Sequence, residues 1–169
     1  MNLDDTRSHA EQAIGAVLPQ RRQDLARLRV LAERGLQPVV TVVGKYNHGK
    51  SRLLNELIGS PSFAVADRRE TVALAGHVHD QVRWLDAPGL DADVGQADDS
   101  HAHCATWLES DIRLFVHAAK EGELDARERS LLQALHADAE RTRRQTLCVL
   151  TQIDQLADDA AQQQGNGAI

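Results

Sequence analysis

The chemistry of this chain is concentrated in Gly44-Lys45-Tyr46-Asn47-His48-Gly49-Lys50-Ser51. Glycines at both ends let a backbone bend so that several N–H groups point at one phosphate. A helix N-terminus directly after such a loop adds favourable partial positive charge. Lys50 can reach the β- and γ-phosphates of a nucleotide, and the Ser51 hydroxyl can ligate Mg²⁺. The expected phosphate cradle is therefore Gly44, Asn47, His48, Gly49, Lys50, Ser51 and Arg52. A second group with chemical potential is Asp86-Ala87-Pro88-Gly89. An aspartate there can hold Mg²⁺ through a water. The Gly89 N–H can bond a terminal phosphate and release it after hydrolysis, the basis of a switch. Thr71, in the segment between, can close over Mg²⁺ with its hydroxyl. The metal set expected is Ser51, Thr71 and Asp86.

The flanking residues read as the elements that must position these groups. Val39, Val40, Val42 and Val43 form a short β-branched run before the loop, and Leu53, Leu54, Leu57 and Ile58 form a helical face after it. Strand, glycine-bounded loop and helix thus occur in the order a phosphate-binding loop requires. Val72 to His79 and Val82 to Leu85 read as a hairpin turning at Asp80-Gln81, which delivers Asp86 at a strand end. Residues 91–100 are polar and acidic and fit a mobile switch region. A helix is expected over 101–109, a buried strand over Ile112 to Ala118 and a strand over Gln145 to Leu150. Between the last two strands, Leu124 to Ala139 is amphipathic, with Leu131, Leu132 and Leu135 inward and Arg127, Glu128 and Arg129 outward. Upstream, Ala10, Ala13, Ile14, Val17 and Leu18, then Leu25, Leu28, Leu31 and Ala32, give two helical faces separated by Pro19. These helices either cover one side of the domain or act as a lever coupled to other parts of a larger protein.

Composition bounds the rest. The 169 residues suit one domain, and 42% hydrophobic with 26% charged residues is the balance of a soluble globular chain. With only 3% aromatics, the core must be aliphatic. The net charge of −6 argues against direct nucleic-acid binding as the main activity. Cys104 and Cys148 sit in apolar settings without CxxC spacing and read as buried free thiols. No signal peptide or transmembrane run is evident, so a cytoplasmic location is expected, with membrane contact left open. His77 and His79 alternate on one strand face, but no third ligand follows at metal-site spacing, and exposed histidines are expected. His48 is expected to line the loop, not to act as a base. Arg68 and Arg69 either touch phosphate or are solvated, and Arg141 to Arg144 read as a solvated helix end.

Taken together, GKYNHGKS, Thr71, DAPG and TQID at 151–154 resemble the ordered motifs of P-loop GTPases. The helical lead-in, the phrase GKYNHGKSRLLNELIG, the hairpin and DAPGL resemble the bacterial dynamin-like or Era/TrmE-like members. This resemblance implies an α/β fold: a three-layer G domain with a mostly parallel sheet, one antiparallel hairpin strand and preceding N-terminal helices. It implies GTP/GDP and Mg²⁺ as ligands, hydrolysis of GTP as a molecular switch, and a G-domain homodimer across the nucleotide face. It also implies roles for Lys50, Ser51, Thr71, Gly89 and Asn47 in turnover, and for Thr151, Gln152 and Asp154 at the base. A carboxylate at Asp154 can accept from guanine N1–H and N2 together, a donor pair adenine lacks. Gln152 stands where these enzymes carry a lysine that helps fix the phosphate loop. Leu90 follows Gly89 where Ras-type enzymes have a water-positioning glutamine, and leucine cannot orient water. Some relatives instead use a loop asparagine to bind K⁺, and Asn47 stands at that position.

The organisation expected is a helical segment over 1–36, a G domain over 37–157 and a disordered tail over 158–169. Residues 155–169 contain no apolar strand, so the domain reads as C-terminally incomplete after its fourth motif, with an open fifth-strand edge. The alternative reading is a degenerate or truncated, non-catalytic nucleotide-binding module.

Overall fold

The computed structural model describes residues 9, 12–35, 37–64, 74–88 and 104–156. Its centre is a five-stranded sheet of β1 (Val39–Gly44), β2 (Ala75–His79), β3 (Val82–Asp86), β4 (Ile112–Ala118) and β5 (Gln145–Thr151). The strand order is β2-β3-β1-β4-β5. β1 runs parallel to β3 and β4, β4 runs parallel to β5, and only β2 pairs antiparallel, with β3. The β2–β3 turn places Asp80 and Gln81 at φ 48° and 63°. Two adjacent positive φ values are what a tight hairpin turn matching the twist of its strands requires.

Alternation along β1 sets the layers. Val40 and Val42 pack with Leu54 and Ile58 of α1 (here Lys50–Ile58) and with Phe63, Leu114 and Val116. On the opposite face Val43 packs with Ala87, Phe115 and Leu135 of α2 (Ala126–Thr142). α2 begins with a capping box: the Asp125 carboxylate accepts from the Glu128 N–H at 2.8 Å, and the Glu128 carboxylate accepts from the Asp125 N–H at 3.0 Å. The D-x-x-E spacing is a readable start signal.

Before the sheet, residues 12–17 are helical, Pro19–Arg21 form a 3₁₀ turn and Arg22–Arg34 form an α-helix. Pro19 opens the turn, as its missing N–H permits. The Arg22–Arg34 helix is docked on the sheet domain. Arg27 bonds the Leu108 carbonyl and the Asp111 carboxylate, the latter at 2.8 Å, and Asp24 pairs with Arg141. Asp111 also accepts from the Val39 N–H at 2.9 Å, so this helix is joined to the first residue of β1.

Several sequence expectations are corrected. Leu57 is 52% exposed and lies outside the α1 face. Ile14, Val17, Leu18 and Leu28 are exposed, so the upstream apolar faces are only partly covered. Cys148 is exposed because β5 is the outermost strand among the described residues; its Leu147 and Leu150 are exposed as well. Glu128 points inward and is 1% exposed, held by the capping box and by His117. The 141–144 group is not a solvated end. Asp138, inside α2, draws Arg144, Arg141 and the fully buried Arg113 of β4 into one ionic cluster. Burial pushes the Asp138 carboxyl up, but the hydrogen bond of Arg113 and the charges of Arg144 and Arg113 outweigh it and hold the group below the ordinary range. His77 and His79 are half-buried, with His77 edge-on to Phe63. Among the described residues no helix is long and apolar enough to cross a membrane.

Candidate functional site

Parallel strands gather their C-terminal ends on one edge of the sheet, where ligands of open α/β folds bind. β1 ends at Gly44, beside Val116 of β4, and the register Val42↔Asp86 brings the end of β3 to the same edge. The loop 45–49 turns there into α1. Gly44 has φ 150°, and a Cβ built on it would lie 2.3 Å from the Val116 carbonyl oxygen. Only hydrogen fits between these two backbones. Gly49, the N-cap of α1, has φ 82°, and Asn47 has φ 62°. This bend brings the Lys50 ammonium back across the loop, where it donates to the Lys45 carbonyl at 2.8 Å. Lys50 is 8% exposed, so its charge is concentrated in the loop concavity.

Ser51 and Asp86 are brought together across the sheet. The Ser51 hydroxyl donates to Asp86 Oδ2 at 2.5 Å. Asp86 is 2% exposed and its Oδ1 is buried with no hydrogen-bond partner among the described residues. Burial pushes its carboxyl above the ordinary range, against the Ser51 hydrogen bond and the charge of Lys50. A buried carboxylate with one oxygen unsatisfied, beside a serine hydroxyl at a helix start, fits a hard divalent cation with oxygen ligands. Ser51 and Asp86 are the residues that would hold Mg²⁺, whose charge would neutralise phosphate oxygens.

The end of β5 closes the loop from behind. Thr151 Oγ1 donates to the His48 carbonyl at 2.6 Å, and Gln152 Nε2 donates to the Asn47 carbonyl at 2.8 Å. Gln152 thus ties the phosphate loop to the base-side segment by a neutral hydrogen bond, the connection sequence reasoning assigns to a lysine. Gln152 reaches it with φ 55°. Asp154 lies exposed beyond it, and Arg52 is exposed on the first turn of α1. Lys45 pairs with Asp125 at 3.3 Å, a link from the loop to the start of α2 with no sequence proximity to suggest it.

The His48 side chain departs from its expected place. Its backbone belongs to the loop, but the ring is 2% exposed and turns into the protein, edge-on to His117. The neighbouring His117 and Glu128 were not legible as site residues. A histidine and an arginine inside the buried strand IRLFVHA are the sequence signal for them, since buried polar groups need partners. Thr71, Gly89, Leu90, Arg68 and Arg69 lie outside the described residues, as does the 91–100 segment.

A family profile described as 50S ribosome-binding GTPase matches residues 39–152. An uncharacterized protein of Acinetobacter baylyi is 63% identical over 143 residues, which span 85% of this chain and 34% of that protein. GTPase Era of Bordetella avium is 31% identical over 123 residues, 69% of this chain and 40% of that protein. The chain spans less than half the length of either curated relative. Among solved structures, Toc33 from Arabidopsis thaliana superposes with a TM-score of 0.50 at 19% identity, covering 79% of this chain and 58% of that one.

Proposed function

The chain belongs to the family described as 50S ribosome-binding GTPases, and we propose that it binds GTP and GDP with Mg²⁺ and hydrolyses GTP to GDP and phosphate as a dynamin-like or Era-like switch. The observation that carries the reading is the Ser51–Asp86 pair at the mouth of the Gly44–Ser51 loop, with Asp86 Oδ1 buried and without a partner among the described residues. Family membership supports a guanine nucleotide, and the position of Asp154 after the Gln152–Asn47 bond supports its part in reading the base. In this reading the loop N–H groups and Lys50 hold phosphate charge, and Thr71 and Gly89 sense the terminal phosphate. Pairing of two G domains across the nucleotide face, a cytoplasmic location and a K⁺ site at Asn47 belong to the same proposal. If exchange of K⁺ for Na⁺ leaves the hydrolysis rate unchanged, the K⁺ element fails.

The test is a titration of fluorescent GTP, GDP and ATP analogues with Mg²⁺ present, paired with a phosphate-release assay. Guanine nucleotides are expected to bind, ATP to bind far more weakly, and Lys50→Ala to lose GTP binding. Equal GTP and ATP binding would remove the guanine assignment. The exposure of Asp154 and the neutral Gln152 where the resemblance expects a lysine favour a second reading, a non-catalytic nucleotide-binding module. Binding without phosphate release would establish it. Ser51→Ala is expected to weaken GTP only when Mg²⁺ is present; a Mg²⁺ titration curve matching wild type would count against the Ser51 role.

A further inference from the structure

Beneath the phosphate loop lies a second polar cluster that nucleotide binding does not use. His48 comes from the loop, His117 from β4 and Glu128 from the first turn of α2, and they are 2%, 4% and 1% exposed. One ligand-capable atom from each lies within 4.8 Å of the other two. Glu128 Oε1 is 2.9 Å from His117 Nδ1 and 3.5 Å from His48 Nδ1.

The outer contacts of two of these residues are already committed. His117 Nε2 donates to the Gly122 carbonyl at 3.0 Å, which leaves the lone pair of a neutral ring on Nδ1, aimed at Glu128. Glu128 Oε2 accepts from the Asp125 N–H, which leaves Oε1 as the arm facing both rings. A histidine whose far nitrogen donates to a backbone carbonyl, and a carboxylate oriented by an N–H, are the usual outer supports of metal ligands. Without an ion, His48 Nδ1 donates to the Val116 carbonyl at 3.4 Å, a long bond that ligation would replace. Two imidazole nitrogens and a carboxylate oxygen thus converge on one buried point, where protons or a metal ion supply the positive charge between them.

We propose that His48, His117 and Glu128 form a binding site for a first-row divalent cation of the Zn²⁺ class. Two imidazole nitrogens and one carboxylate oxygen suit Zn²⁺ far better than Mg²⁺ or Ca²⁺, which prefer all-oxygen sets. With bonds of about 2.0–2.1 Å, ligand atoms of a tetrahedral Zn²⁺ site stand roughly 3.3 Å apart. The two separations at Glu128 Oε1, 2.9 and 3.5 Å, bracket that value. The bound cation joins the phosphate loop, β4 and the start of α2 at one point. The site is distinct from the Ser51–Asp86 pair and does not depend on the nucleotide assignment.

The test uses chelator-stripped, nucleotide-free protein and Co²⁺ as a spectroscopic probe. Wild type is expected to develop the intense visible bands of tetrahedral Co²⁺ at one equivalent, and Zn²⁺ is expected to abolish them and to raise Tm. Glu128→Gln keeps a capping-box residue, so this variant is expected to fold while losing affinity for the ion by about tenfold or more. His117→Gln is expected to do the same, and His136→Gln, on the exposed face of α2, to leave the bands unchanged. Absence of tetrahedral bands in wild type, the result expected if protons alone occupy the cluster, overturns the proposal. Retention of full affinity by both Glu128→Gln and His117→Gln overturns it equally.

Discussion

Gly44→Ala is expected to destabilise the fold by about 2–4 kcal/mol and to reduce affinity for GTP by roughly a hundredfold or more. The added Cβ would stand 2.3 Å from the Val116 carbonyl oxygen and 3.3 Å from its carbonyl carbon. Neither neighbour can yield cheaply. Val116 is paired on one side with Gly44 itself and on the other with Val149 of β5, in the middle of the sheet. The φ of 150° adds a conformation that side chains rarely adopt. Relief requires the strand end to move away from β4, which carries Lys45 to Gly49 with it and misplaces the phosphate cradle. Gly59→Ala provides the comparison. That glycine also has positive φ, 74°, but nothing lies within 4 Å of its added Cβ. It should cost only the strain of a left-handed helix cap, about 1 kcal/mol, and leave nucleotide binding intact. Denaturant unfolding and fluorescent GTP titration of the two variants check this. Equal behaviour of both would show that the close approach to Val116 has no energetic weight.

Asp138→Asn is expected to cost about 3–5 kcal/mol at neutral pH, because it strands a buried charge. Arg113 is fully buried, donates to Asp138 at 2.6 Å and stacks 5.7 Å from the centre of the Trp107 ring. Arg144, itself largely buried, donates to Asp138 and to the Trp107 carbonyl. One carboxylate therefore compensates two guanidinium groups that have left water, with Arg141 added at the rim. The pH dependence follows from the depressed carboxyl. Asp138 keeps its charge in the fold below its ordinary value of 3.8. Its stabilisation is fully present above that value and is lost as pH falls through the lower, folded value. The gap between wild type and Asp138→Asn should therefore be constant from pH 7 to about pH 5 and narrow below 3.8. Chemical denaturation across this range measures it. A gap under about 1 kcal/mol at pH 7, the level of an exposed pair, would show that the cluster is effectively solvated.

The β elements were readable because their signals are local. The run Val39 to Val43 stops at a glycine, and the Asp80-Gln81 turn separates two strands; the turn and the second strand's start at Val82 appear where pattern places them, while the first strand, expected from Val72, begins at Ala75. Ile112–Ala118 was found to the residue, since a strand buried on both faces is nearly continuous in apolar character. The pattern over Leu124 to Ala139 starts two residues before the observed helix and stops three residues short of its end at Thr142, because apolar periodicity does not register the Asp125 cap. Helical periodicity says which residues share a face. It does not say which charged residue on a face will be drawn inward by a partner on another strand. Glu128, Arg113, Asp138 and Arg144 were misread or unassigned for this reason, and exposed Cys148 for a related one: its burial depends on strand order, not on its neighbours in the chain.

The sequence by itself determined the phosphate loop, the strand end that carries Asp86 and the strand-and-helix frame, because glycine, lysine and serine at that spacing have few other uses. Tertiary structure decided how that loop is held. Gln152 reaches the Asn47 carbonyl, Thr151 reaches His48, Lys45 pairs with Asp125, and the His48 ring turns away from phosphate to meet His117 and Glu128. Each of these contacts joins residues far apart in the chain. They exist because parallel pairing of β1, β4 and β5 brings their C-terminal ends to one edge, where burial favours pairing of polar groups from distant segments.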